Sequence, residues 1–178
     1  MAQDIKTADI AIIGTGPAGI SAAITAKIRN KEILLFGAEP VSSKVAKAHR
    51  ILNYPGLPAV SGEELAQAYK RHLDELQIAI TKKRVHAVYA MGSYFAIQAG
   101  DEQYRADSVI LACGMTADKP FLGENEFLGR GVSYCATCDA QFFKGKTVAV
   151  IGYTKESVEE AQYLAEIVGK VLYFPMGK

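Results

Sequence analysis

The chain has 178 residues, 49% hydrophobic and 22% charged, with 20 Lys+Arg against 19 Asp+Glu and a formal net charge of +1. Those proportions suit a folded globular chain and exclude disorder, a collagen-like repeat and a charged tail. The near-neutral balance gives no electrostatic case for nucleic acid or an anionic membrane. No apolar run approaches the roughly 20 residues that span a bilayer, and the first residues lack the basic, apolar character of a signal peptide, so the chain reads as cytoplasmic. Three cysteines are too few for a secreted disulfide scaffold, so any pairing among them reads as redox-active or metal-binding.

Residues 8–13 form an apolar run closed by Gly14, the mark of a buried strand. Ile20, Ala23, Ile24 and Ile28 then recur at helical spacing over 17–30, and 32–36 predicts a second buried strand. Strand, helix and strand together make a unit of the parallel, doubly wound kind. A Ser- and Lys-rich loop ends in Asn53-Tyr54-Pro55-Gly56, a turn signal. Ser61-Gly62-Glu63-Glu64 reads as a capping box for a helix carrying Leu65, Tyr69, Leu73 and Leu76 on one side. Residues 85–90, 94–98 and 103–106 predict an antiparallel meander, and 108–112 a separate buried strand. After Pro120 the chain reads as irregular up to Cys138. Strand, helix and strand return over 147–151, 157–168 and 171–174.

Two short motifs carry the chemistry. Gly14-Thr15-Gly16-Pro17-Ala18-Gly19 fits G-x-G-x-x-G between a strand and a helix. The first glycine makes the tight turn, the second admits a pyrophosphate to the backbone, and the third lets helix and strand pack closely. The helix N-terminus adds free N–H groups and partial positive charge. Glu39 stands 20 residues beyond Gly19, where it would accept hydrogen bonds from an adenosine ribose unless it is a solvated loop carboxylate. In Cys135-Ala136-Thr137-Cys138-Asp139, two intervening residues put the sulfurs within disulfide reach and make such a disulfide exchangeable. Structural zinc and two inert thiols are the alternatives, but Cys113 and the histidines at 49, 72 and 86 show no second ligand pair, so no metal is expected. Asp139 reads as a proton shuttle to the leaving thiolate, or else as a helix cap or turn residue.

Gly14–Gly19, Asn53–Gly56, Leu111-Ala112-Cys113-Gly114 and Cys135–Asp139 occur in the order found in low-molecular-weight flavin thioredoxin reductases, and the whole chain resembles the first half or more of such an enzyme. The resemblance implies an α/β homodimer with two Rossmann-like three-layer nucleotide-binding domains. Residues 1–114 would belong to the FAD-binding domain, and 115–178 would start the inserted domain with the redox cysteines. It implies FAD held by Gly14, Gly16, Pro17, Ala18, Gly19, Glu39, Asn53, Val85, Ala112, Cys113 and Gly114. Carried over residue by residue, Cys138 would face the flavin, Cys135 would attack thioredoxin, and Asp139 would donate the proton. The chain stops before the family's last third, so a fragment of a longer protein is expected.

Three departures bear on the electron donor. The second glycine loop reads Gly152-Tyr153-Thr154-Lys155-Glu156-Ser157, with a β-branched Thr154 where backbone must approach a diphosphate. The family's 2′-phosphate-gripping arginines are replaced by Tyr173-Phe174-Pro175-Met176-Gly177-Lys178. Val41 to His49 replaces the usual Gly-Gly-Gln segment. NADPH is therefore doubtful, and the pattern is similar to the flavin thioredoxin reductases that take electrons from ferredoxin. An acidic ferredoxin would be met by local basic patches such as Lys44, Lys47 and Arg50 or Lys82, Lys83 and Arg84, unless these are solvated loops. The alternatives are a conventional NADPH-dependent thioredoxin reductase and a non-catalytic flavin- or nucleotide-binding redox sensor.

Overall fold

The apolar run before Gly14 forms the central strand β1 (Lys6–Ile13) in a computed structural model that describes residues 5–37, 43–48, 50–114 and 120–176. Chain contacts divide the molecule into two compact units, Met1–Ala48 with Ser61–Lys119, and His49–Val60 with Pro120–Lys178. In the first unit β1 pairs parallel with β2 (Ile33–Phe36) on one side and with β6 (Glu102–Leu111) on the other. The strand β3 (Ile80–Thr81) adds parallel to β2, while β5 (Phe95–Ala99) and β4 (Val85–Ala90) add antiparallel beyond β6, giving the order β3-β2-β1-β6-β5-β4. The helix α1 (Pro17–Ile28) joins β1 to β2 and buries Ile20 with Gly19, Ala23 and Ala26, three small residues that let it lie close to the sheet. The core holds Ala11, Phe36, Ile97, Ala99, Tyr104 and Ala106, with the rings of Phe36 and Tyr104 edge to face at 5.0 Å.

The capping box forms in full. Glu64 N–H donates to Ser61 Oγ at 3.2 Å, and Ser61 N–H donates to Glu64 Oε2 at 2.8 Å. It opens the helix after the short α2 (Ser43–Ala46), namely α3 (Gly62–Glu75), which buries Leu65, Tyr69 and Leu73, while Leu76 is the half-buried residue just past its end. The bonds from Ser61 hold the Glu64 carboxyl below its ordinary pKa.

Two expectations about β6 need correction. Residues 103–106 and 108–112 are not two strands, because Asp107 between them is itself strand. One ten-residue strand, β6, pairs antiparallel with β5 over Glu102 to Ala106 and parallel with β1 from Tyr104 to Leu111. Its far end is not buried either. The β5 pairing stops at Ala106, and Leu111 is 72% exposed. The two-residue strand β3 escaped the sequence reading because it is shorter than any period that could announce it.

The second unit is built on β7 (Thr147–Gly152) and β8 (Lys170–Pro175), parallel and joined by α6 (Glu156–Ala165), with Ala140, Leu164 and Val168 buried between them. Residues 120–138 are less irregular than expected. They include α4 (Glu124–Phe127) and α5 (Ala136–Asp139), followed by a 3-10 turn (Ala140–Phe143). Such single-turn helices follow local capping rather than periodicity: Phe121 N–H donates to Glu124 Oε2 at 2.7 Å, and Tyr134 OH bonds Glu124 Oε1. Both tie the segment before the cysteines, and the Tyr134 bond comes first among the causes that hold Tyr134 above its ordinary pKa. Residues 51–60 are pinched by Ile51 N–H donating to Val60 O at 2.7 Å.

Candidate functional site

In the first unit the glycine turn is pinned from both sides. Gly14 N–H donates to Phe36 O and Ala112 N–H to Ile13 O, each at 2.8 Å. Gly14 has φ +122°, and a Cβ there would collide with the Ala112 carbonyl. A Cβ on Gly19 would strike the Gly14 carbonyl and approach Ala112 Cβ at 3.3 Å. Gly16 is different. It is the N-cap of α1 at φ −80°, and a Cβ there would meet nothing within 4 Å. Pro17 starts the helix, no acidic side chain stands in its first turn, and Gly16 has no side-chain cap. The turn thus offers an open backbone cradle at a positive helix end, which fits a dinucleotide diphosphate.

The structure brings Gly14, Gly16, Pro17, Ala18 and Gly19 together with Ala112 and Cys113 at the end of β6, where Cys113 Sγ lies 3.6 Å from Ile13 O. Gly114 follows at φ +65°. Val85 starts β4, pairs with Ala99 of β5 and packs on the core cluster that holds Phe36. Glu39, Val41, Ser42, His49 and the side chain of Lys44 lie outside the described residues. Of the basic runs, Lys83 is bound to Glu102. Two supports of the turn were missed: Thr15, only 4% exposed, and Gly37, where a Cβ would stand 2.6 Å from Thr15 Oγ1. A glycine directly after the second strand was the available signal.

In the second unit Cys135 and Cys138 form a disulfide with Cα atoms 5.3 Å apart. Cys135 is the N-cap of α5, and its sulfur accepts the Cys138 N–H at 3.2 Å. Ser133 Oγ accepts the Cys135 N–H at 3.0 Å. Cys138 Sγ accepts from Asn53 Nδ2 at 3.6 Å, within the longer range that sulfur's size allows. Asp139, half-buried, ends α5, and its N–H donates to Cys135 O at 3.2 Å. Each sulfur therefore has a nitrogen donor, the arrangement that favours a thiolate once the bond opens. Among the described residues no group of three or more His, Cys, Asp or Glu could hold a metal ion, and no helix is long and apolar enough to cross a membrane.

The loop after β7 contrasts with the loop after β1. Ser157, in the place that Gly19 holds in the first loop, donates its hydroxyl to Thr154 O and lies 3.0 Å from Tyr173 OH. A Cβ on Gly152 would stand 2.7 Å from Tyr173 Cε2. The helix start carries its own anion. The Glu156 carboxylate accepts its own N–H first and the Thr154 hydroxyl second, which holds its pKa below the ordinary value. Glu156 went unnoticed because an acidic first turn is an ordinary helix signal.

One α/β unit thus carries an open glycine turn, and the other a Cys-x-x-Cys disulfide. The chain belongs to the pyridine nucleotide-disulphide oxidoreductase family, whose model matches residues 8–175. It is 38% identical over 181 residues to the thioredoxin reductase of Aquifex aeolicus, covering 99% of this chain and 56% of that protein. Among solved structures it resembles a ferredoxin-flavin thioredoxin reductase from Clostridium acetobutylicum, with 52% identity and a TM-score of 0.62 over 98% of this chain and 61% of that one. It also resembles the thioredoxin reductase of Streptococcus pyogenes, with 31% identity and a TM-score of 0.83 over 97% and 58% of the two chains. The α/β, Rossmann-like architecture is that of these relatives, and the chain spans a little over half their length.

Proposed function

We propose that this chain is part of an FAD-dependent thioredoxin reductase that takes its electrons from ferredoxin rather than NADPH, acting as a homodimer. The domain division at residue 114 belongs to the same reading. Gly14, Gly16, Pro17, Ala18 and Gly19, with Ala112, Cys113 and Gly114, would hold the dinucleotide, and the open space at Gly16 supports this reading. When bound, the flavin supplies a two-electron reservoir able to reduce a disulfide. The chain's own chemistry follows from the cysteine pair. The Cys135 thiolate, held by the Cys138 N–H, attacks one sulfur of the thioredoxin disulfide and expels the other. Cys138 then attacks Cys135 Sγ and releases thioredoxin as the dithiol, so two electrons leave and the Cys135–Cys138 bond returns. Asp139, next in the chain, would supply the proton.

The observation that supports ferredoxin over NADPH is the closed second loop. Its helix start already carries the Glu156 carboxylate, and Ser157 and Tyr173 fill the turn. A diphosphate there would forgo at least two charge-assisted hydrogen bonds at ~1.5–3 kcal/mol each, a loss of roughly 10²–10⁴-fold in affinity. The ferredoxin-flavin relative from Clostridium acetobutylicum points the same way. Anaerobic stopped-flow on the full-length protein tests this. Reduced ferredoxin should bleach the flavin, and NADPH at physiological concentration should not. Rapid, saturable reduction by micromolar NADPH would restore the conventional donor.

A further inference from the structure

We propose that Asn53 is a catalytic hydrogen-bond donor to the redox pair, stabilising negative charge on Cys138 so that the disulfide opens by attack at Cys135. The inference rests on reading Cys135–Cys138 as the exchanging pair. Asn53 is 85 residues from Cys138 in sequence, yet its Nδ2 is 3.6 Å from the Cys138 sulfur. The segment that presents it is tightly built. Ile51 N–H closes the neck on Val60 O at 2.7 Å. Directly after Asn53 comes a turn with Leu57 N–H donating to Tyr54 O at 3.1 Å, Pro55 in its second position, and Gly56 at φ +83° in its third. That is the pattern of a type II turn, which restricts the chain on both sides of Pro55. Asn53 is thus held between a closed neck and a stiff turn.

The chemistry distinguishes the two sulfurs. A disulfide sulfur is a weak acceptor, whereas a thiolate is a strong one, so a donor gains most when the bond breaks. Cys135 has its donor from the backbone of α5. Cys138 receives its donor from Asn53, a side chain and therefore alterable. When an external thiolate attacks Cys135 Sγ, a mixed disulfide forms there. The S–S bond breaks, and Cys138 leaves with the electron pair as a thiolate facing the Asn53 amide. A second thiolate then releases Cys135 and completes the two-electron reduction.

The test uses the full-length protein carrying Cys135→Ser, which leaves Cys138 as a thiol. Its alkylation by iodoacetamide is followed against pH at the Cys138 peptide by mass spectrometry. Asn53→Ala should raise the midpoint of that profile by about one to two pH units, the weight of one hydrogen bond to an anion. Asn53→Asp keeps the size but replaces the donor by a charge of the wrong sign, and should raise the midpoint further. A merely structural role for Asn53 would not produce that order. In the disulfide form, opening by dithiothreitol at neutral pH should slow about three- to tenfold in Asn53→Ala. Equal midpoints in all three proteins would overturn the role of Asn53 and leave the redox pair untouched. The redox reading fails separately, if Cys135→Ser still turns over thioredoxin.

Discussion

Replacing Gly16 by valine separates folding from cofactor binding. Gly16 lies at φ −80° and ψ 179°, extended backbone open to any residue, and its Cβ would meet no protein atom within 4 Å. The fold therefore loses little more than the preference for glycine over a β-branched residue at an N-cap, about 1 kcal/mol. In a chain of this size that is a fall of roughly 2–4 °C in Tm. For a bound dinucleotide, the valine branches fill the cradle that the diphosphate must enter. Losing one or two charge-assisted hydrogen bonds, at ~1.5–3 kcal/mol each, weakens binding by roughly 10- to 10⁴-fold. Gly14→Val is the contrasting variant. There φ is +122°, and the new Cβ would stand 2.6 Å from Ala112 C and 3.2 Å from Cys113 N, so the fold itself should fail. The assay is the visible spectrum of the purified full-length protein, flavin titration of the stripped protein, and Tm without flavin. Wild-type flavin affinity in Gly16→Val would refute the cradle, and loss of the fold in that variant would refute the claim that Gly16 has no packing role.

Further outcomes are expected from the core and the cysteines. Burial first, and then the Glu102 carboxylate at 2.6 Å, push the Tyr104 phenol up to about 12. The folded state thus favours the neutral phenol, so stability is full below the ordinary value near 10 and falls as pH rises from 10 to 12. Tyr104→Phe should flatten that limb of a denaturation series, and an unchanged slope would count against the assignment. Ser61→Ala removes the acceptor that caps α3 and should cost about 1 kcal/mol, read as a drop in the urea midpoint. Cys138→Ser should abolish thioredoxin reduction while leaving the flavin spectrum present. Cys113→Ser should keep thioredoxin reduction, since Cys113 is a free thiol outside the disulfide and its sulfur donates to the Ile13 carbonyl, a bond serine can also make.

What was legible in the sequence was local. The glycine turn, the capping box and the two-residue spacing of the cysteines each specify their geometry within six residues, so residue type alone announces them. The α/β alternation was legible because apolar periods of two and 3.6 are set by backbone geometry. Tertiary structure decided the rest. The fusion of 103–106 with 108–112 into β6 required β1 and β5 on its two flanks, and a meander and a long strand share the same alternation. Strand β3 exists because β2 offers an edge, not because Ile80 and Thr81 form a pattern. The glycine spacing at 152–157 resembled a damaged nucleotide loop. Only folding showed it filled by Ser157 and Tyr173, since Tyr173 arrives from the next strand. Asn53 likewise reads as a turn residue until the fold carries it to Cys138. Contacts between residues far apart in the chain depend on which surfaces the core brings together, and no short window of sequence contains that information.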